Sequence, residues 1–273
     1  MKHSAFLLSA SIVIGMSAPA FADKLDDIIS SGVVRCAVVL DFPPMGSRDA
    51  NNEPLGFDVD YCKDLAAALG VKAEFVETPF PDRIPALVSN RADVGIASTS
   101  DTLERAKTIG FTIPYFVFKQ IVLARSDANI AKPEDIKGHA VGGPAGSTET
   151  IALEKSVKAF NDPNGKFLAF QSQADVFLAL SQKQIDATYT TTTVATDVIK
   201  SGKYPGLKVV GDAPMDPDFT SLIVLRDEQG LLNYLNLFIN QQVRTGRYKE
   251  LYEKWIGKEA GEVPSLTVTG VYR

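Results

Sequence analysis

The feature that most constrains this chain is a pattern that occurs twice: strand, helix, strand, helix, strand. Short apolar runs at 33–39, 73–76 and 94–97 alternate with amphipathic stretches at 58–69 and 82–88. After Lys137-Gly138 the order restarts, with strands at 140–142, 167–170 and 187–189 around helices at 149–160 and 173–182. Alternating β and α units predict an α/β architecture with mainly parallel sheets, here two Rossmann-like lobes. No low-complexity linker separates the halves, so two sheets joined by ordered crossings are expected. Near the C-terminus, Leu232, Leu235, Phe238 and Ile239 form a helical stripe read as core packing, and Leu251, Tyr252 and Trp255 share one side of a second short helix. Residues after Gly261 read as a tail laid on the surface.

At 273 residues and 45% apolar composition the chain can bury a sizeable core as one large domain or two small ones. Its formal charge of −5 supplies no basic footprint, which argues against nucleic acid as a partner. Lys2 and His3 precede an apolar run at 5–16, and Ala20-Phe21-Ala22 follows, the order of a cleaved export signal over 1–22. The run is too short, and too interrupted by serine, to span a bilayer. No cysteine near the cleavage point offers a lipid attachment site, so a soluble product beginning at Asp23 and located in the periplasm is expected. Export permits disulfides. Cys36 on the first strand and Cys62 on the following helix fit either a disulfide or two buried thiols. Together with His139 they are too few for a zinc site of the usual kind, and no metal or cofactor is implied.

Two segments have the composition of an anion receptor. Ser98-Thr99-Ser100-Asp101-Thr102-Leu103-Glu104-Arg105 follows a strand, and Asp101 with Glu104 three residues on reads as a helix start whose dipole and N–H groups face the strand end. Ser98 and Ser100 add hydroxyls, and Arg105 can hold a carboxylate through two parallel hydrogen bonds. In the second half Gly143-Pro144-Ala145-Gly146-Ser147-Thr148 runs from a strand into a helix; Gly146 allows close approach, and Ser147 or Thr148 can cap the helix or meet a ligand. Ligands of open α/β sheets sit beyond the carboxyl ends of the strands, so two such segments facing across a cleft would grip a small carboxylate.

With these segments in view, the chain resembles the periplasmic solute-binding proteins of polar amino acid ABC importers, family 3, of the type II periplasmic-binding fold. The resemblance rests on Asp41-Phe42-Pro43-Pro44-Met45, Gly56-Phe57-Asp58-Val59-Asp60, Asp93-Val94 ahead of Ser98, Phe111-Thr112-Ile113-Pro114-Tyr115, Gly146-Ser147-Thr148, Ile185-Asp186-Ala187 and Tyr252-Glu253-Lys254-Trp255. It implies that Arg105 binds the ligand α-carboxylate, aided by Ser100, Ser147 and Thr148, and that Ser98 offers its carbonyl to the ammonium. Phe42 matches an aromatic that covers the ligand and Phe57 is a candidate for the same wall, with core packing the alternative for both. Arg83 matches an arginine that reaches acidic ligand side chains, or else a rim residue.

One departure stands out. Where the family usually places an ammonium-binding aspartate, this chain has Thr191, in Tyr189-Thr190-Thr191-Thr192-Thr193. A hydroxyl brings no charge to a buried ammonium. Either another carboxylate substitutes, with Glu149, Asp216 and Asp218 the candidates, or the ligand carries a substituted or absent amine, as in an opine-like conjugate. Arg83 and Arg105 together lean towards a carboxylate-rich ligand.

The resulting expectation is a two-lobed, monomeric binding protein that closes on its ligand and presents it to a membrane permease. Lobe 1 comprises 23–115 plus 220–273, lobe 2 comprises 120–214, and the hinge 116–119 and 215–219. A dehydratase on the same scaffold is the enzymatic alternative, but it needs a well-placed acid where Thr191 stands, and His139 reads as a satisfied surface side chain. A ligand sensor is the third class and would be expected to continue into a membrane helix, which the sequence up to Arg273 does not show.

Overall fold

The computed structural model describes residues 23–257. The expected export signal over 1–22 and the expected tail beyond Gly261 lie outside them.

The chain opens with α1 (Lys24–Ser31), capped by the Asp23 carboxylate on Leu25 N–H and ended by Gly32 in the left-handed region. There follow β1 (Val33–Val38), the small hairpin β2 (Ser47–Arg48) and β3 (Pro54–Leu55), then α2 (Phe57–Leu69), β4 (Lys72–Glu77), α3 (Arg83–Val88), β5 (Val94–Ser100) and β6 (Ile109–Phe118). The second lobe is built from β7 (Gln120–Arg125), β8 (Ala140–Pro144), α4 (Thr148–Phe160), β9 (Lys166–Phe170), α5 (Gln173–Ser181), β10 (Ala187–Thr191), α6 (Thr192–Ser201) and β11 (Leu207–Asp212). The chain then returns to the first lobe through β12 (Asp218–Leu225), α7 (Gln229–Arg244) and α8 (Arg247–Trp255).

Two five-stranded sheets result, ordered β4-β1-β5-β12-β6 and β11-β7-β10-β8-β9. The expectation of mainly parallel sheets is corrected: β4-β1-β5 and β10-β8-β9 are parallel, while β12 and β7 each pair antiparallel with both neighbours. Those two strands flank the crossings between sheets, so their partners lie far away in sequence and no local pattern announces them. The outward crossing is narrower than 116–119, because β6 stays paired through Phe118 and Lys119 alone separates it from β7. The return crossing, 213–217, runs beside it, with Ala213 N–H on Gln120 O and Asp218 in register with Phe118.

In the first lobe α2 buries Phe57, Tyr61, Cys62, Leu65 and Ala66. Phe57 stacks on Tyr61 at 5.7 Å and meets Phe116 and Tyr248 edge-on. Cys36 and Cys62 are joined as a disulfide between β1 and α2, closing a separation of 26 residues with neither cysteine exposed. Two motifs distant in sequence also meet here: Asp60 accepts from Lys254 Nζ at 2.6 Å and Trp255 Nε1 at 2.9 Å, fastening α8 to α2. The C-terminal stripe packs as expected, with Leu235, Phe238, Ile239, Leu251 and Tyr252 buried and Leu232 and Trp255 partly so. No helix among the described residues is long and apolar enough to cross a membrane.

Candidate functional site

The carboxyl end of β5, the start of α4 and the start of β12 converge between the lobes. A small cavity there is lined by Phe42, Phe80, Arg83, Ser98, Ser147 and Glu149, with Ser100, Phe118 and Asp218 completing it. Its volume of about 10 Å³ holds about one water, so the lobes stand closed on each other.

The expected helix after Ser100 does not form. β5 continues through Ser100 because β12 pairs with it, Thr220 opposite Ser100 and Ser221 opposite Thr99, and Asp101 N–H bonds Phe219 O. Only a turn of 3-10 helix, Arg105–Lys107, follows, with no side-chain cap, so no helix dipole serves the first segment. Of the features expected to bind an anion there, the Arg105 guanidinium remains. The second segment is as read: Ser147 caps α4 by accepting from Thr150 N–H, and the other first-turn N–H groups lack intrahelical acceptors. Gly146 adopts φ +79°, and a Cβ there would lie 2.9 Å from Pro81 Cα of the other lobe.

Arginines tie the lobes together at Gly146. Arg105 Nη2 donates to Gly146 O at 2.6 Å and its Nη1 to Ser100 O at 3.0 Å. Arg83 is not a rim residue, being 2% exposed. Its guanidinium donates to Phe80 O, Ala97 O, Ser98 O and Gly146 O, engaging four of its five N–H groups. Burial, and then the neighbouring Arg105, pushes the Arg83 guanidinium below its usual range, to about 9. The lean towards a carboxylate-rich ligand, which counted Arg83 as available, is corrected accordingly.

Ser98 stands at φ +47° with each polar group engaged. Its N–H donates to Tyr115 Oη, its hydroxyl to Asp58, and its carbonyl, the group assigned to the ammonium, accepts from Arg83 at 2.8 Å. Tyr115 donates in turn to Asp58 at 2.7 Å. Burial raises the Asp58 carboxyl to about 7 against these hydrogen bonds. Asp58 and Tyr115 thus buttress the site from behind, a role their place in motifs did not reveal.

Two of the carboxylates considered in place of the absent aspartate lie in the cleft. Of the three candidates, Glu149 and Asp218 line the cavity, whereas Asp216 is exposed on the return crossing. Asp218 accepts from Ser100 Oγ at 2.8 Å and Thr148 Oγ1 at 3.3 Å, and those two hydroxyls lie 3.0 Å apart. Burial, followed by the charge of Glu149, raises the Asp218 carboxyl to about 7. Thr191 is fully buried and caps α6, its hydroxyl accepting from Val194 N–H and bonding Thr193. Of the two phenylalanines, Phe42 lines the cavity, edge-on to Phe80 at 5.0 Å. Phe57 is corrected to core: it starts α2 with its ring among Tyr61, Phe116 and Tyr248. His139 bonds Asp186 at 3.0 Å in the second lobe, as a satisfied side chain does.

A further inter-lobe contact escaped the sequence. Asp41 of the first lobe accepts from Gln173 N–H at 2.7 Å and Ala174 N–H at 3.2 Å at the start of α5.

Two α/β lobes closed on a small polar cavity that carries charged groups from both define a class of ligand receptor, and sequence comparison agrees. Residues 34–258 match the bacterial extracellular solute-binding proteins, family 3, and the chain belongs to that family. It is 28% identical over 252 residues to ABC transporter arginine-binding protein 1 of Escherichia coli (strain K12), covering 91% of this chain and 96% of that one. It is also 26% identical over 256 residues to cyclohexadienyl dehydratase of Pseudomonas aeruginosa, covering 92% of each. Among solved structures, an ancestral arginine-binding protein bound to arginine superposes with a TM-score of 0.77 at 33% identity, over 83% of this chain and 99% of that one. The fold is the type II periplasmic-binding fold.

Proposed function

We propose that this chain is the extracytoplasmic binding component of an ABC importer, exported through its first 22 residues and acting by binding rather than catalysis. In this reading it closes around a small α-amino acid and delivers it to a membrane permease, with Lys119 and the 213–217 crossing as the hinge. The observation that carries it is the meeting between the lobes of a cation, Arg105 bonded to Gly146 O and Ser100 O, with two carboxylates that line the adjoining cavity, Glu149 and Asp218. That is the charge pattern a zwitterion requires, and it restores the ammonium partner that Thr191 does not supply. Entry of a ligand opens the cleft and exchanges the Arg105 bond to Gly146 for a bond to the α-carboxylate. The relatives named for arginine binding support the same class.

The test is thermal denaturation of the refolded, ligand-stripped protein with L- and D-amino acids, dicarboxylates, betaines and opine-like conjugates. Ligand at a hundred times its dissociation constant adds about 2.7 kcal/mol, a shift of several degrees for this size. Stabilisation by simple L-amino acids is expected; stabilisation only by amine-free or quaternary ligands contradicts the assignment of Glu149 and Asp218.

One observation favours a second reading: a carboxyl titrating near 7 in the cleft, Asp218, is an acid of the kind a dehydratase needs. If a cyclohexadienyl carboxylate loses water and gains aromatic absorbance in the presence of the protein, catalysis replaces transport as the conclusion.

A further inference from the structure

The cleft continues into the second lobe. A neighbouring cavity shares Phe42, Phe80, Ser147 and Glu149 with the first and adds Gln173 and Thr190. Gln173 opens α5, Thr190 lies near the end of β10, and each is 2% exposed. Gln173 Nε2 and Thr190 Oγ1 are fully buried and have no hydrogen-bond partner among the described residues. Buried polar groups without partners are destabilising and are rare in native proteins. Here two of them belong to residues that line one cavity together with a carboxylate, the setting in which a ligand can complete the bonding. The Gln173 backbone is itself held by Asp41 of the opposite lobe, so closure fixes the position of its side chain.

We propose that Gln173, Thr190 and Glu149 form a subsite for the end of the ligand's side chain, and that it takes a planar head bearing N–H groups, a carboxamide or a guanidinium, on an aliphatic stem. The proposal rests on the amino-acid reading of the cleft. Glu149 accepts from such a head, Thr190 and the Gln173 amide exchange hydrogen bonds with it, and the Phe42 and Phe80 rings cover the stem. A carboxylate head meets Glu149 with Arg83 already committed to four carbonyls. An aliphatic end leaves Gln173 and Thr190 unpaired. Sites built to hydrogen-bond a group reject analogues lacking it far more strongly than apolar pockets reject a missing methylene.

The test uses L-arginine, L-glutamine, L-norleucine and L-glutamate as probes in calorimetric titration and thermal denaturation, on the parent and on Gln173→Met and Thr190→Val. For the parent, arginine and glutamine bind at least about a hundredfold tighter than norleucine and glutamate. Each variant loses at least about tenfold for arginine and glutamine and changes norleucine by less than about threefold. Because neither side-chain atom has a partner to lose, both ligand-free variants melt at or above the parent temperature. Norleucine or glutamate binding the parent as tightly as arginine and glutamine overturns the subsite alone. So do variants that weaken all four probes equally, or that leave arginine and glutamine unchanged. If no amino acid binds the parent, the reading of the cleft falls and the subsite with it.

Discussion

Arg105 and Gly146 meet across the cleft, the guanidinium Nη2 donating to the glycine carbonyl over 2.6 Å. The contact joins the only strong cation assigned to the ligand carboxylate with the backbone that starts α4. Arg105→Ala removes a charge-assisted partner and is expected to cost about 2 to 5 kcal/mol of amino-acid binding. Gly146→Ala acts through the other partner. It places a Cβ against Pro81 at a φ of +79°, so the lobes close less tightly and affinity falls about tenfold or more. Calorimetric titration checks both; unchanged affinity in Arg105→Ala contradicts the carboxylate assignment.

Asp218 is expected to make ligand binding depend on pH. Its carboxyl holds a proton to about 7, because burial and the charge of Glu149 disfavour ionisation. An aspartate in an unfolded chain titrates lower, so this group favours the ligand-free fold most in acid and its contribution declines as pH rises to about 7. A ligand ammonium favours the ionised form, so binding expels about half a proton at pH 7. Affinity then rises up to about tenfold per unit from pH 5 to 7 and levels above it. Titration in buffers of differing ionisation enthalpy measures the proton count, and Asp218→Asn removes it.

Much of the fold was legible because it is local. The runs that became β1, β4, α2 and α5 carry their own periodicity, and Ser147 caps α4 as its sequence implies. Asp101 and Glu104 misled because a local capping pattern was overruled by β12, a strand more than a hundred residues later. Phe57 and Phe42 are indistinguishable as apolar residues; only the packing of Tyr61, Phe116 and Tyr248 assigns the first to the core. The absence of an aspartate at Thr191 was visible, and Glu149, Asp216 and Asp218 were already candidates, but that the first and last of them line the cleft and Asp216 does not depends on the fold. Asp41 and Gln173 are 132 positions apart, and nothing in either neighbourhood announces their contact.

That contact is expected to act as a closure latch. Asp41→Asn leaves Ser172 as the cap of α5 but weakens two charge-assisted bonds between lobes. The cleft then opens more readily. Affinity is expected to fall about tenfold, through faster dissociation and by the same factor for every bound amino acid. Stopped-flow release kinetics check this; a change in the ranking of ligands places Asp41 against the ligand itself.

The disulfide supports the first lobe and not the cleft. Cys36 and Cys62 close 26 residues of chain, for which the loop-entropy relation gives about 3.5 kcal/mol. Protein reduced while unfolded, alkylated and refolded is expected to melt about 7 to 14 °C lower, with ligand preference unchanged. Denaturation scans of the two forms measure the difference, and equal melting temperatures contradict it.

The central claim is that one cleft holds an amino acid by both of its charges, Arg105 on the carboxylate and Glu149 with Asp218 on the ammonium. Its most direct test is calorimetric titration of the ligand-stripped protein with the most stabilising amino acid, with that molecule lacking its α-amine, and with that molecule lacking its α-carboxylate. The account predicts binding of the intact amino acid and at least about a hundredfold weaker binding of both truncated forms. A truncated form that binds as tightly as the parent compound contradicts it.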